Sequence, residues 1–153
     1  MDHYDSQMAA RVWQRVQGSN SAENPAAELL VYLQEELTDL SRYRQLYNTL
    51  SSTSKPGLQQ LIQLTQQCIS ILRGIYILLT DTIPEVKSFP LPKELPASAL
   101  RRSYSGALRR GTRYDQWSSH SEYGCAFGEM AVLSQRRGCL LLQLIGTQNN
   151  KAK

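Results

Sequence analysis

Long apolar runs, paired cysteines and histidines are what this 153-residue chain has least of. No stretch approaches the roughly 18 to 20 apolar residues that a membrane span needs. The longest uncharged candidate, 58–71, is dotted with glutamine and closed by Arg73, so no membrane segment is expected. Three cysteines, Cys68, Cys125 and Cys139, are odd in number and far apart, which argues against a disulfide framework or a CxxC zinc site. A reducing, cytoplasmic setting fits that usage. The N-terminus, MDHYDSQMAARVW, carries acids where a secretory signal has positive charge, and it has no apolar centre. A Gly-rich phosphate loop, GxSxG, HExxH and a Cys/His pair at catalytic spacing are all missing. Nucleophilic catalysis has no visible machinery, and no cofactor is expected.

What is present is a globular composition, 41% hydrophobic and 20% charged, at the length of one domain. The net charge of +4 is uneven: residues 77–153 hold 11 Lys and Arg against 6 Asp and Glu, whereas residues 1–76 hold 6 against 7. Tyr4, Met8, Val12, Trp13 and Val16 fall on one side of a short helix over 4–16, ended by Gly18. Asn24 followed by Pro25 reads as an N-cap with proline at the first helical position.

Four long periodic segments follow. Helix A, about 25–50, places Leu29, Leu33, Glu36, Leu40, Tyr43 and Tyr47 on one stripe, so a carboxylate stands among apolar side chains. Helix B, about 56–81, carries Leu58, Leu61, Ile62, Thr65, Cys68, Ile69, Leu72, Ile75, Tyr76 and Leu79. The short SSTSKPG connection makes A and B an antiparallel hairpin. Over 82–95 the prolines forbid regular helix; 14 extended residues reach about 46 Å, while a 26-residue helix is about 39 Å long. The linker can travel the whole length of the hairpin. Helix C, about 96–118, carries Leu100, Tyr104, Ala107, Leu108, Gly111 and Tyr114. Helix D, about 122–145, carries Phe127, Met130, Ala131, Ser134, Arg137, Gly138, Leu141 and Ile145, and Gly146 is expected to stop it. The expected fold is all-α: a short N-terminal helix and loop over 1–23, a four-helix bundle over 24–147 and a polar tail over 148–153.

Glu36-Leu37 followed by Tyr43, the LRGIYILLTD ending of helix B, the Tyr104 and Tyr114 spacing and the EYGCAFGEMA opening of helix D carry a resemblance. In their order and intervals they resemble the ferritin-like superfamily, in particular its rubrerythrin-related bacterial members, over about 26–146. The resemblance implies a ferritin-like bundle with a di-iron or di-manganese site, built from one Glu on each of two helices and a Glu-x-x-His pair on each of the others. Carried over by the flanking stripes, the six positions are Glu36, Thr65, Cys68, Ala107, Ser134 and Arg137. Only Glu36 keeps the ligand; Ala107 has no donor atom and Arg137 brings a permanent cation. No bound metal is expected.

An ionised Glu36 and an Arg137 that are each buried neutralise one another if they meet. A buried Glu36–Arg137 ion pair is therefore expected, with Thr65, Ser134, Tyr43 and Tyr114 as candidates for the remaining hydrogen bonds. The alternative has Arg137 snorkelling outward and Glu36 met by a tyrosine hydroxyl or water. Cys68, at a ligand-histidine position, reads as an inert small hydrophobe, with a redox thiol as the rival. Arg101, Arg102, Arg109, Arg110 and Arg113 form a basic outer band on helix C. That band is either a solvated face, or a subunit contact pairing with Glu35, Asp39 and Asp115, or a phosphate-binding surface backed by Trp117 and Tyr104; nucleic acid is the least favoured of these.

The function expected is a non-catalytic ferritin-like scaffold or binding protein, pairing with itself as a homodimer. Its rivals are a metal-dependent oxidoreductase or metal handler using Glu36 and Cys68, and a nucleic-acid-associated protein using helix C.

Overall fold

The computed structural model describes residues 25–151, which are all-helical, with no strand among them. The segment over 1–23 and the Asn24 cap lie outside the described residues. Helix α1 spans Pro25–Thr49, a 3-10 turn follows at Ser52–Ser54, and α2 spans Lys55–Thr80. After the crossover come α3, Pro96–Trp117, and α4, Gly124–Lys151. Proline stands in the first turn of both α2 and α3, where a missing N–H breaks no intrahelical bond. Helix α2 stops at Asp81, whose φ of 57° is left-handed and whose N–H donates to the Ile77 carbonyl at 2.7 Å. Pro84, Pro90 and Pro92 keep the chain extended beyond it.

Gly146 does not end α4, which continues to Lys151, so the expected polar tail over 148–153 is helical as far as 151. A glycine stops a helix by turning left-handed, and among the described residues no glycine has a positive φ. Left in α-conformation, Gly146 only weakens the helix by about 1 kcal/mol relative to alanine.

Helix α1 packs along α2, α3 packs along α4, and weaker faces join α2 to α4 and α1 to α3. Directions follow from the cross-helix pairs. Arg113 meets Glu28 while Ser103 meets Asp39, so α1 and α3 run antiparallel. Gly57 lies by Leu144 while Thr65 meets Arg137, so α2 and α4 do too. The crossover accordingly runs from one end of the assembly to the other. Val86 packs on the cluster near the start of α1, and Glu94 binds Arg42 and Arg102 near its end.

The interior is apolar at both ends. Leu29, Leu33, Leu72, Ile75, Phe127 and Met130 fill one end; Leu46, Leu58, Leu61, Leu100, Leu141 and Leu144 fill the other. Contrary to the expectation that no stretch comes near a membrane span, the segment Ser52–Thr80 is by length and composition apolar enough to cross one, with a mean hydropathy of 1.2 over its best window. It passes because it is nearly free of charge, and one side of it lines both apolar clusters.

Two glycines in helix interiors separate propensity from packing. A Cβ on Gly74 would meet nothing within 4 Å, whereas a Cβ on Gly111 would lie 2.8 Å from Ser134 Cβ, an atom fixed to the α4 backbone. Gly74→Ala is expected to stabilise the protein by up to about 1 kcal/mol. Gly111→Ala is expected to lose about 1–3 kcal/mol to overpacking against that same propensity gain, because α3 and α4 must move apart. Urea midpoints of the two variants test this; a Gly111→Ala protein as stabilised as Gly74→Ala would refute the close approach.

Candidate functional site

Between the two apolar ends lies a polar layer to which every long helix contributes. Glu36 and Asp39 come from α1, Thr65 and Cys68 from α2, Ser103 and Arg110 from α3, and Ser134 and Arg137 from α4. All eight are buried. Glu36 and Asp39 share a face because they are three residues apart on a helix.

Glu36 is held from two sides. Arg137 Nη1 donates to its Oε2, and Arg110 Nε donates to its Oε1 at 2.5 Å. Arg110 also donates from Nη2 to Asp39 Oδ2 at 2.5 Å and from Nη1 to Glu35 Oε1 at 3.2 Å. Asp39 Oδ1 accepts from Arg42 Nη1 at 2.8 Å and from Ser103 Oγ at 3.0 Å. Arg137 Nη2 reaches Ser134 Oγ at 2.9 Å and Cys68 Sγ at 3.4 Å, while its Nη1 reaches Thr65 Oγ1 at 3.4 Å. Two carboxylates and two guanidiniums thus cancel in the interior, which is the condition for holding charges away from water.

The electrostatics follow. Burial works to raise the Glu36 carboxyl, but the Arg137 and Arg110 charges outweigh it and hold Glu36 below the usual carboxylate range. Asp39 goes the other way, because burial, with the Glu36 charge beside it, overcomes the pull of Arg110. Burial pushes the Cys68 thiol up to about 12, so it stays protonated at neutral pH, as an inert core group does.

The pair expected between Glu36 and Arg137 is present in this geometry, and Arg137 does not snorkel: it is fully buried. Thr65 and Ser134 do hydrogen-bond to the Arg137 guanidinium. The hydroxyls of Tyr43 and Tyr114 do not; both are buried and have no hydrogen-bond partner among the described residues, while Glu36's two oxygens face guanidiniums. Ala107 sits in the apolar cluster at the α2 start end and carries no polar role.

Arg110 corrects the expected basic band. It is 2% exposed and belongs to the interior layer, one helical turn beyond Ala107. Leu108, expected to point inward, is 45% exposed instead. The stripe of α3 runs through Leu100, Ser103, Ala107, Arg110 and Tyr114. Small side chains at Ser103 and Ala107, and an Asp at the third position after Glu36, are the signals that an arginine fits there. Asp39, taken as a surface acid, is likewise buried. Of the other arginines, Arg109 pairs with Glu35, and Arg113 pairs with Glu28 and covers the Trp117 ring at 5.1 Å. Arg102 meets Glu94 at 3.3 Å, and Arg101 is exposed. The cluster's rim opens into a groove of about 420 Å³ between α1 and α3 where Glu35, Arg42 and Arg109 stand.

A di-metal centre does not fit these residues. Both Glu36 oxygens are taken by permanent cations, Thr65 Oγ1 donates to the Leu61 carbonyl at 2.7 Å, and Ser134 serves Arg137. Among the described residues no three His, Cys, Asp or Glu side chains converge as metal ligands. Comparison with protein-family models, with curated proteins and with solved structures gives no match.

Proposed function

We propose that this chain is a non-catalytic scaffold, a ferritin-like four-helix bundle in plan, in which an arginine–carboxylate cluster stands where a di-metal site would be. The observation that supports it most is the double hold on Glu36 by Arg110 and Arg137. A guanidinium cannot be deprotonated near neutrality, so it fills the position of a metal cation without supplying electrons or a Lewis-acid site. Cys68 and Glu36, the residues a non-standard redox site would use, are respectively a protonated thiol and a fully paired carboxylate. A phosphate-binding role for α3 is weakened because Arg109, Arg110 and Arg113 all hold carboxylates of α1.

On this reading the interior gives stability and the surface carries the biological role. The chain purified from cells grown with iron, manganese and zinc should hold less than stoichiometric metal and should not turn over peroxide. One equivalent of any of these metals bound, lost on Glu36→Ala, would overturn the reading.

A further inference from the structure

The outer side of α4 carries two opposite charges beside an exposed stripe of apolar and thiol side chains. Helices α1 and α3 pair several of their outer charges across the helices, Glu28 with Arg113 and Glu35 with Arg109. On α4, Glu129 and Arg136 make no ion pair among the described residues. They flank a stripe in which Cys125, Val132 and Cys139 recur at seven-residue steps, with Leu142 three further on. Seven residues are close to two helical turns, so Cys125, Val132 and Cys139 share one face, with Gly128 and Gln135 between them. All four side chains are exposed, Val132 by 53% and Leu142 by 51%. On the α2 side the groove beside Arg136 and Cys139 is lined by the uncharged Gln60, Gln63 and Gln67.

The stripe is complementary to itself when reversed. Val132 is midway between Cys125 and Cys139, and almost midway between Glu129 and Arg136. Two copies of α4 laid antiparallel across a twofold axis at Val132 therefore bring each Glu129 to the other's Arg136, and each Cys125 to the other's Cys139. A parallel pairing would put the two copies of Glu129, and the two of Arg136, on opposite flanks of the seam, where neither meets an opposite charge. We propose that this face of α4 is an isologous interface through which two copies of the chain pair antiparallel, centred on Val132. The unpaired charges choose the orientation, and the apolar stripe supplies the contact. This inference stands on the outer surface and does not rest on the reading of the interior.

Sedimentation equilibrium of the full chain tests it. The wild type is expected to be dimeric; Arg136→Glu and Glu129→Arg, each setting like charges opposite one another, should each weaken the dimer at least tenfold. The double swap Glu129→Arg/Arg136→Glu should restore it. Circular dichroism and thermal melting check that these exposed substitutions leave the fold intact. A monomeric wild type, a dimer indifferent to Arg136→Glu, or a double swap without rescue would each overturn the interface. Thiol cross-linking with a short bismaleimide fixes the orientation. Cys125→Ser alone and Cys139→Ser alone should give no cross-linked dimer, whereas a mixture of the two variants should give one. Cross-linking of either variant with itself would mean a parallel pairing and would refute the proposal.

Discussion

Glu36→Gln is expected to destabilise the protein by about 3–5 kcal/mol, a large part of the 5–15 kcal/mol that holds a typical domain folded. Glutamine keeps the shape of the side chain but removes the charge that balances Arg137, and its amide N–H₂ is turned toward one of two guanidiniums. Glu36→Asp keeps the charge and removes one methylene, so its loss should be nearer the ~1 kcal/mol of a buried CH₂. Adding Arg137→Met to Glu36→Gln removes one charge of each sign and leaves Arg110 with Asp39, so the double variant should recover much of the single loss. Urea denaturation with an unchanged slope measures all three. Equal losses in Glu36→Gln and Glu36→Asp would sink the account of a buried ionic cluster. The pH dependence carries the same sign. A carboxyl whose folded pKa lies below its unfolded one contributes stability that is complete above the unfolded value and is lost as pH falls through the folded one. Glu36 is such a group, so its share of stability should persist through mildly acid solution and disappear only below the ordinary carboxylate range.

Arg110→Met is expected to match that loss, again about 3–5 kcal/mol, by stranding carboxylates rather than a cation. Arg110 alone bridges Glu36, Asp39 and Glu35, and Glu36 and Asp39 are adjacent on one face of α1. Without it, their mutual repulsion is opposed only by Arg137 at one end and Arg42 at the other. Asp39 already lies above its ordinary value, and losing Arg110 raises it further. For a group with a raised folded pKa, stability is present below the unfolded value and is lost as pH rises through the folded one. The deficit of Arg110→Met relative to wild type should therefore be smaller at about pH 5 than at about pH 7. Urea midpoints at the two values decide it, and a deficit that does not change with pH would show that Asp39 is not strained by the missing guanidinium.

The sequence made the four long helices readable because their stripes are long and their ends are marked by prolines, so α1, α2 and α3 begin and end within a residue or so of where periodicity puts them. It also made the meeting of Glu36 with Arg137 readable, since each is the one charged residue on its stripe. Arg110 was hidden by its neighbours. With five arginines in thirteen residues, the outward-facing ones make the inward one look like part of a band, and Leu108 offers a more conventional apolar stripe. Which of two offset stripes faces the core depends on the helix across from it. Here the deciding residue is Asp39, seventy-one positions away in sequence. Gly146 misled for a related reason, because composition marks where a helix can turn left-handed but does not say whether the chain uses that turn.

The polar layer also constrains how the chain folds. The hairpin of α1 and α2 brings two carboxylates to its inner face and no buried cation, whereas the hairpin of α3 and α4 brings two guanidiniums and no buried acid. Within the first hairpin Arg42 answers Asp39 but no cation answers Glu36, and within the second no acid answers Arg110 or Arg137, so the two faces neutralise one another only when the halves meet. The long crossover tethers the halves while they do. Their opposite charges favour the register that seats Arg110 and Arg137 on Glu36, so the charge pattern helps select how the two hairpins dock.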